Sequence, residues 1–431
     1  MMQTIKPLAI LDGARTPFSK VFTDLRHVSA VELGRIAMLD ALQRCGVTTN
    51  QVDEVIFGNV STPPDAANIA RVIALKSGVP IDRVAHTVNR NCASGMESVL
   101  AAWQAITEGR AKVVVAGGTE SMSNIPLMVS PEATRVWLRV GRSKSRWQRL
   151  AAFASFRPRH FKPVAGIQLG LTDPVSGLNM GETAELLARE FGISREQQDR
   201  FALRSHRSAL QAQETCFLSG EIVPVDTRGG ESVKTDNGPR RNQSLEQLAK
   251  LTPIFDPSGT VTAGNSCPLT DGAAALVVVD GDESDRYSHP PLGYITAYAI
   301  AGCEPSRMGL GPVYATAKLL KQTGLRIADF DRIEINEAFA AQVLACQAAA
   351  ASKSFAGNEL GLADAMGEFP EERLNVHGGA IALGHPVGTT GTRLILTLLR
   401  SLRSAGLRRG LATLCVGGGQ GVAMVIETET K

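Results

Sequence analysis

The chain has 431 residues, a length that suggests two or three domains of about 100–200 residues. Its 45 Lys and Arg against 42 Asp and Glu leave a formal charge of +3, which argues against a nucleic-acid binder. No apolar run approaches the roughly 20 residues of a membrane span. Seven irregularly spaced Cys fit reduced cytosolic thiols better than a disulfide framework. Met1 to Lys6 lacks a secretory apolar core and leads towards a strand, so a cytoplasmic location is expected. Neither Cys-x-x-Cys nor His-Glu-x-x-His spacing occurs, and no metal site is expected.

In chain order, an amphipathic helix is predicted over Ser29–Arg44, then a strand over Asp53–Gly58. Val84–Val88 is a β-like run. An apolar-periodic helix follows from Met96 through Trp103 to Ile106, with Ser94 and Glu97 at the spacing of a capping box. Cys92 falls in the elbow between them, where a helix N-terminus and free amides favour thiolate over thiol and make a nucleophile. The competing reading is a cysteine that simply packs, the usual fate of a free thiol.

Val113–Gly118 is strand-like, and after Met122 the pattern degrades until strand periodicity returns near Val261. Within that excursion Ser194 and Gln197 open a helix by a capping box. Asp282–Pro291 is a linker by composition. A second amphipathic helix is predicted over Val313–Gln322, and a strand over Asp331–Asn336. Gly384-His385-Pro386 fixes an imidazole in a turn rich in glycine. Leu411–Cys415 reads as a buried strand that runs into Val416-Gly417-Gly418-Gly419-Gln420-Gly421. That run is not a dinucleotide fingerprint, because Val422 occupies the last glycine position and a strand follows instead of a helix. Glycines there suit close backbone approach to a reacting atom, with an exposed N–H as oxyanion donor.

Two segments repeat. Gly46-Val47 through Gly58 aligns without gaps with Gly324-Leu325 through Asn336, each after an amphipathic helix, and Val113–Gly118 is matched to Thr413–Gly418. Alternating strands and helices imply parallel sheets in two similar α/β halves. Asn336 stands opposite Gly58, so one half carries a functional side chain where the other has none.

Asn91-Cys92-Ala93-Ser94-Gly95, Asn336-Glu337-Ala338-Phe339, Gly384-His385-Pro386 and Cys415-Val416-Gly417 together resemble the four active-site loops of the thiolases. Asp12–Pro17, Ala116–Ser123, Met180–Glu185, Gly259–Asn265 and Met308–Pro312 extend the likeness over nearly the whole chain. The resemblance implies a five-layered αβαβα body of two duplicated halves: residues 1–123 completed by about 251–281, a loop domain at 124–250, and a second half at 288–431. It implies cleavage of 3-oxoacyl-CoA by coenzyme A, as in fatty-acid β-oxidation, or the reverse condensation of two acetyl-CoA. No permanently bound cofactor and a homodimer or homotetramer are implied.

By the same resemblance Cys92 is the acylated nucleophile, His385 activates it and Cys415 is the second acid/base. Asn336 orders a water on the thioester oxygen, and the amides of Cys92 and Gly417 hold the tetrahedral oxygen. Contacts to substrate or coenzyme A fall to Met180, Ser266, Cys267, Met308, Phe339 and His377. Two departures stand out: Asn179 replaces the His many short-chain thiolases carry before Met180, and Cys267 replaces the family's Ser near the pantetheine. His377 on the residues alone reads first as a hydrogen-bonded supporting histidine.

Residues 135–162 carry Arg135, Arg139, Arg142, Lys144, Arg146, Arg149, Arg157, Arg159 and Lys162 and no acid. Val136, Trp137, Val140, Trp147, Leu150 and Phe153 recur near helical spacing, the pattern of a basic amphipathic helix. A solvated basic face is the plainer reading. The segment resembles an insert in the β-subunits of fatty-acid-oxidation trifunctional complexes, which implies an anionic membrane surface or a hydratase/dehydrogenase α-subunit as partner.

Overall fold

The computed structural model describes residues 7–287 and 289–429, so the expectation for Met1–Lys6 and position 288 of the linker lie outside it. It divides into two compact units, residues 124–172 and the remainder.

The main body starts with strand β1 (Leu8–Arg15) and helix α1 (Ala30–Cys45), which Ser29 caps by accepting from Glu32 N–H. β2 (Glu54–Gly58), α2 (Ile69–Lys76), β3 (Val84–Val88), α3 (Ser94–Thr107) and β4 (Val113–Ser121) follow. Helices α4 (Met180–Glu190) and α5 (Arg195–Glu214) come next, α5 opened by the expected Ser194–Gln197 capping box. β5 (Thr270–Asp280) completes the first half. Its strand begins at Thr270, not near Val261, because the amides of Thr260 and Val261 are drawn onto the Glu185 carboxylate. The second half is β6 (Gly293–Gly302), α6 (Gly311–Thr323), β7 (Arg332–Ile335), α7 (Ala340–Ala351), α8 (Thr390–Ser404), β8 (Arg409–Val416) and β9 (Gln420–Glu427).

The strands join in the order β7-β8-β9-β6-β1-β5-β4-β2-β3, with the short strand Ser19–Lys20 added beside β5. Among these pairs only β2/β3, β2/β4 and β7/β8 are parallel; the others are antiparallel. The expectation of parallel sheets is thus corrected to mixed ones. Each half ends in antiparallel strands because β9 returns from β8 through a tight hairpin and β5 returns from the long excursion.

The duplication is real, and its register can be read from backbone pairing. Gly46 and Gly324 both end their helices with left-handed φ (64° and 73°), a conformation glycine adopts without steric cost. Asp53 accepts from Lys112 and Val113 N–H, and Asp331 accepts from Arg408 and Arg409 N–H. Val113 therefore corresponds to Arg409, not to Thr413 as the glycine pairs suggested. Those glycines do different jobs: a Cβ on Gly118 would collide with Gly388 O, whereas Gly418 and Gly419 form the β8–β9 turn at φ +90° and +79°.

Alternate residues of the strands feed separate cores. α1 and α2 pack outside the first half with Val113, Val115, Ala273 and Ala275. α3 and α8 fill the middle with Val114, Leu276, Leu414 and Val416. α6 and α7 cover the outer face of the second half with Leu411 and Cys415. The result is the expected αβαβα layering. At the centre Gly95 lets α3 approach Thr392, and Gly391 lets α8 approach Met96.

Within that second unit, residues 131–154 do not form one basic helix. They form two, Pro131–Arg142 and Arg146–Ala154, because Ser145 caps the second through Gln148 N–H and breaks the run. Val136 and Val140 are buried, while Trp147 is 80 % and Leu150 60 % exposed. Trp137 meets Phe153 and Phe156 edge-on. Among the described residues no helix is long and apolar enough to cross a membrane.

Candidate active site

Cys92 lies two residues ahead of α3, after Asn91 at φ +44°. That left-handed conformation is costly for most side chains and tolerable for Asn. Asn91 Nδ2 donates to Gly417 O at 2.8 Å, which fixes the elbow against the β8–β9 hairpin. The expected capping box is absent. Ser94 Oγ instead accepts from Arg90 N–H and donates to Asn91 O, and Glu97 pairs with Arg90.

Burial pushes the Cys92 thiol up, and the amides of Gly417 and Cys92 pull it back; Glu120 adds to the upward push. Burial wins, so the resting group is a thiol. The helix-terminus argument predicted a thiolate. A terminus contributes only about 0.3–1 kcal/mol, up to about 2 when partly buried, and cannot offset the desolvation of a buried anion.

His385 is 6 % exposed. Its Nδ1 is 2.6 Å from Thr390 Oγ1, and that hydroxyl also donates to Pro386 O at 3.2 Å. We assign that proton to Pro386 O, which makes Thr390 the acceptor from Nδ1–H. Nε2 is then the unprotonated nitrogen, and it is buried without a partner among the described residues. Burial, reinforced by the Arg393 charge, pushes the imidazole down to about 3. A neutral ring with an open lone pair is a base in waiting.

Asn336 is fully buried, and neither Oδ1 nor Nδ2 has a partner among the described residues. An unpaired buried amide costs about 1–3 kcal/mol, so this one is set to hold a water or ligand. Cys415, on the outer face of β8, is 1 % exposed. Its thiol is pushed well up, first by burial and then by Cys92, Cys346 and Cys267.

Around these four, Met180 Sδ would sit 3.3 Å from a Cβ on Gly417. Asn179 caps α4, accepting from Gly181 and Glu182 N–H at 3.0 Å each, so this departure from the family has structural employment. Cys267 N–H donates to Ala338 O, and burial, then Cys92, pushes its thiol up to about 12. Ser266 Oγ donates to Thr262 O, and Ser266 bridges to Phe339, which lies edge-on to Phe255. Met308 is 3 % exposed in the apolar cluster of Phe339 and Cys415. His377 is stacked on Phe217 at 3.5 Å with Nε2 3.1 Å from Ser401 Oγ, so both its face and its nitrogen are occupied by supporting groups.

Three residues of this scaffold escaped the sequence reading. Thr390 orients His385. Glu120, 1 % exposed, accepts from Val60, Ser61 and Gly388 N–H at 3.0 Å each, joining the loop after β2 to the His385 loop. Burial raises it to about 7. Glu337 accepts from Ser205 Oγ, Asn375 Nδ2 and Ile381 N–H and so ties the Asn336 loop to α5 and to the approach to His385. The acids stood within the quoted motifs; a signal for Thr390 would have been a hydroxyl one turn beyond the imidazole.

The thiolase N-terminal domain matches residues 8–282 and the thiolase C-terminal domain residues 289–428. The 3-ketoacyl-CoA thiolase of Yersinia enterocolitica is 40 % identical over 98 % of this chain and 97 % of its own. Among solved structures, Bacillus anthracis acetyl-CoA acetyltransferase is 37 % identical at a TM-score of 0.85, covering 98 % of this chain and 99 % of that one. Human mitochondrial 3-ketoacyl-CoA thiolase in complex with CoA is 34 % identical at 0.85, covering 99 % of each. The chain belongs to the thiolase family.

Proposed function

We propose that this protein is an acetyl-CoA acyltransferase of the 3-ketoacyl-CoA thiolase type. It cleaves 3-oxoacyl-CoA with coenzyme A into acetyl-CoA and a shortened acyl-CoA. The observation that carries the chemistry is the open, unprotonated Nε2 of His385, taken with the partly buried Cys92 thiol, the buried Cys415 thiol and an unpaired Asn336 carboxamide.

In the first half-reaction His385 Nε2 takes the Cys92 proton as the sulfur adds to the 3-oxo carbon. The bond between the α and β carbons breaks, leaving an acyl thioester on Cys92 and the enolate of acetyl-CoA. Cys415 gives its proton to the enolate carbon; a thiol held well up by burial suits this strongly basic acceptor. His385 and a water on Asn336 hold the enolate oxygen, and the Cys92 and Gly417 amides hold the tetrahedral oxygen at the acylated sulfur. One such donor is typically worth about 3–4 kcal/mol in the transition state. In the second half-reaction the Cys415 thiolate takes the proton of incoming coenzyme A. The new thiolate takes the acyl group, and His385 returns its proton to Cys92. Two half-reactions through one covalent intermediate give ping-pong kinetics. Met180, Ser266, Cys267, Met308 and Phe339 are proposed to line the substrate and coenzyme A path; His377 is a supporting residue.

Likeness to an acetyl-CoA acetyltransferase favours one second reading, condensation of two acetyl-CoA on the same site. Thiolysis measured on acetoacetyl-CoA and on a long-chain 3-oxoacyl-CoA with free coenzyme A separates them. Efficient turnover of both supports the degradative reading, and turnover of acetoacetyl-CoA alone supports the biosynthetic one.

For partners we propose a homodimer or homotetramer, and an anionic membrane surface for residues 124–172. Its nine cations without an acid over 135–162, with Trp147 and Leu150 exposed, suit that surface.

A further inference from the structure

Arg393 and Glu334 form an ion pair of 2.9 Å whose side chains are 0 % and 3 % exposed. Arg393 Nε and Nη2 are buried without partners among the described residues. Such a pair is a poor device for stability. Removing two charges from water is costly, two donors are left unmet, and apolar residues of similar volume often serve as well or better. Its location offers another reason for it.

Glu334 precedes Asn336 by two residues on and just beyond β7, so both project to the same side of the strand. Arg393 follows Thr390 by three residues on α8, so both lie on one helix face. Thr390 holds His385. The pair therefore bolts the element that carries Asn336 to the helix that orients His385, two residues from Asn336 on one side and one helical turn from Thr390 on the other.

We propose that Arg393 and Glu334 are positioning residues of the thiolytic reaction, setting the spacing between the His385 and Asn336 loops. With no accessible surface, Arg393 acts through them and not on the substrate. Its charge has a second effect, since it faces His385 and disfavours the imidazolium. Glu334 faces Arg393, Glu337 and Glu221. Glu221 is engaged by Arg15 and Thr397, and Glu337 by Ser205 and Asn375, so Arg393 is the cation left to pair with Glu334.

The inference rests on the roles of His385 and Asn336 proposed above, and its test separates the two. In the double variant Arg393→Met/Glu334→Leu, the melting temperature should hold and KM for acetoacetyl-CoA should stay within about threefold. kcat should fall by about a hundredfold, the cost of about 1 Å of misplacement. The acid limb of Cys92 alkylation by iodoacetamide should move to higher pH, because His385 loses its nearby cation. Arg393→Lys, which keeps the charge, should recover part of kcat. Unchanged kcat and alkylation profile in the folded double variant would make the pair mere packing. Should the double variant not fold, Glu334→Asp carries the test: it keeps the charge and shortens the reach, so lower kcat at constant KM supports the proposal and unchanged kcat overturns it. If His385→Gln and Asn336→Ala also keep full turnover, the fault lies in the underlying reading.

Discussion

Thr390 Oγ1 lies 2.6 Å from His385 Nδ1, and with the hydroxyl assigned as the acceptor this one hydrogen bond decides which imidazole nitrogen can act as a base. In Thr390→Val the ring loses its anchor and its tautomer bias. Turnover should fall by about tenfold or more, the worth of a buried hydrogen bond left unmade, while Thr390→Ser stays near wild type. Steady-state kinetics of both variants check this; equal activity in the two would detach Thr390 from the base.

Asn336 is expected to act late. With its carboxamide unpaired in the resting site, Asn336→Ala removes no resting hydrogen bond among the described residues. Turnover should drop about a hundredfold with little change in KM, the signature of a transition-state interaction. A large rise in KM at constant turnover would assign Asn336 to ground-state binding.

pH dependence of stability tests the buried titratable groups. Glu120 is raised from 4.5 to about 7, so its contribution is full below about pH 4.5 and is lost as pH rises through 7. His385 is lowered from 6.5 to about 3, so its contribution is full above about pH 6.5 and is lost as pH falls towards 3. Urea unfolding of His385→Asn should therefore show a deficit against wild type that shrinks between pH 6.5 and pH 4.5. A deficit independent of pH would mean that the imidazole is not held neutral by the fold.

Much of this could be read beforehand from residues with local signatures. Gly46 and Gly324 mark helix ends, Ser194 and Gln197 mark a helix start, and the four loops announce themselves by glycine and small residues around a reactive side chain. What escaped depends on distant partners. Ser94 and Glu97 have capping-box spacing, yet Arg90 claims both. The strand register slipped by four residues because Gly117-Gly118 and Gly417-Gly418 look alike, although one admits Gly388 and the other turns a hairpin. Burial raises the Cys92 thiol, and no short motif reports burial. The basic run at 135–162 showed its charge and apolar spacing, but its break at Ser145 turned on a single cap.

That segment gives its own prediction. Vesicles of phosphatidylcholine with phosphatidylserine should retain the protein at low salt and release it at high salt, while phosphatidylcholine alone should not. Deleting Arg139–Arg157 should abolish retention and spare thiolysis of acetoacetyl-CoA. Failure of the intact protein to bind anionic vesicles would leave a decorated surface, and retention by a hydratase/dehydrogenase subunit alone would name the other partner.

The account as a whole turns on which of the two active-site thiols becomes acylated. After brief incubation with acetyl-CoA, acid quench and digestion, mass spectrometry should find a single acetyl group, on the peptide that contains Cys92. Cys92→Ser should keep the fold and lose both the adduct and most turnover, because an alcohol is a far weaker nucleophile than a thiol at neutral pH. An acetyl group on Cys415 or Cys267, with Cys92 unmodified, would contradict it.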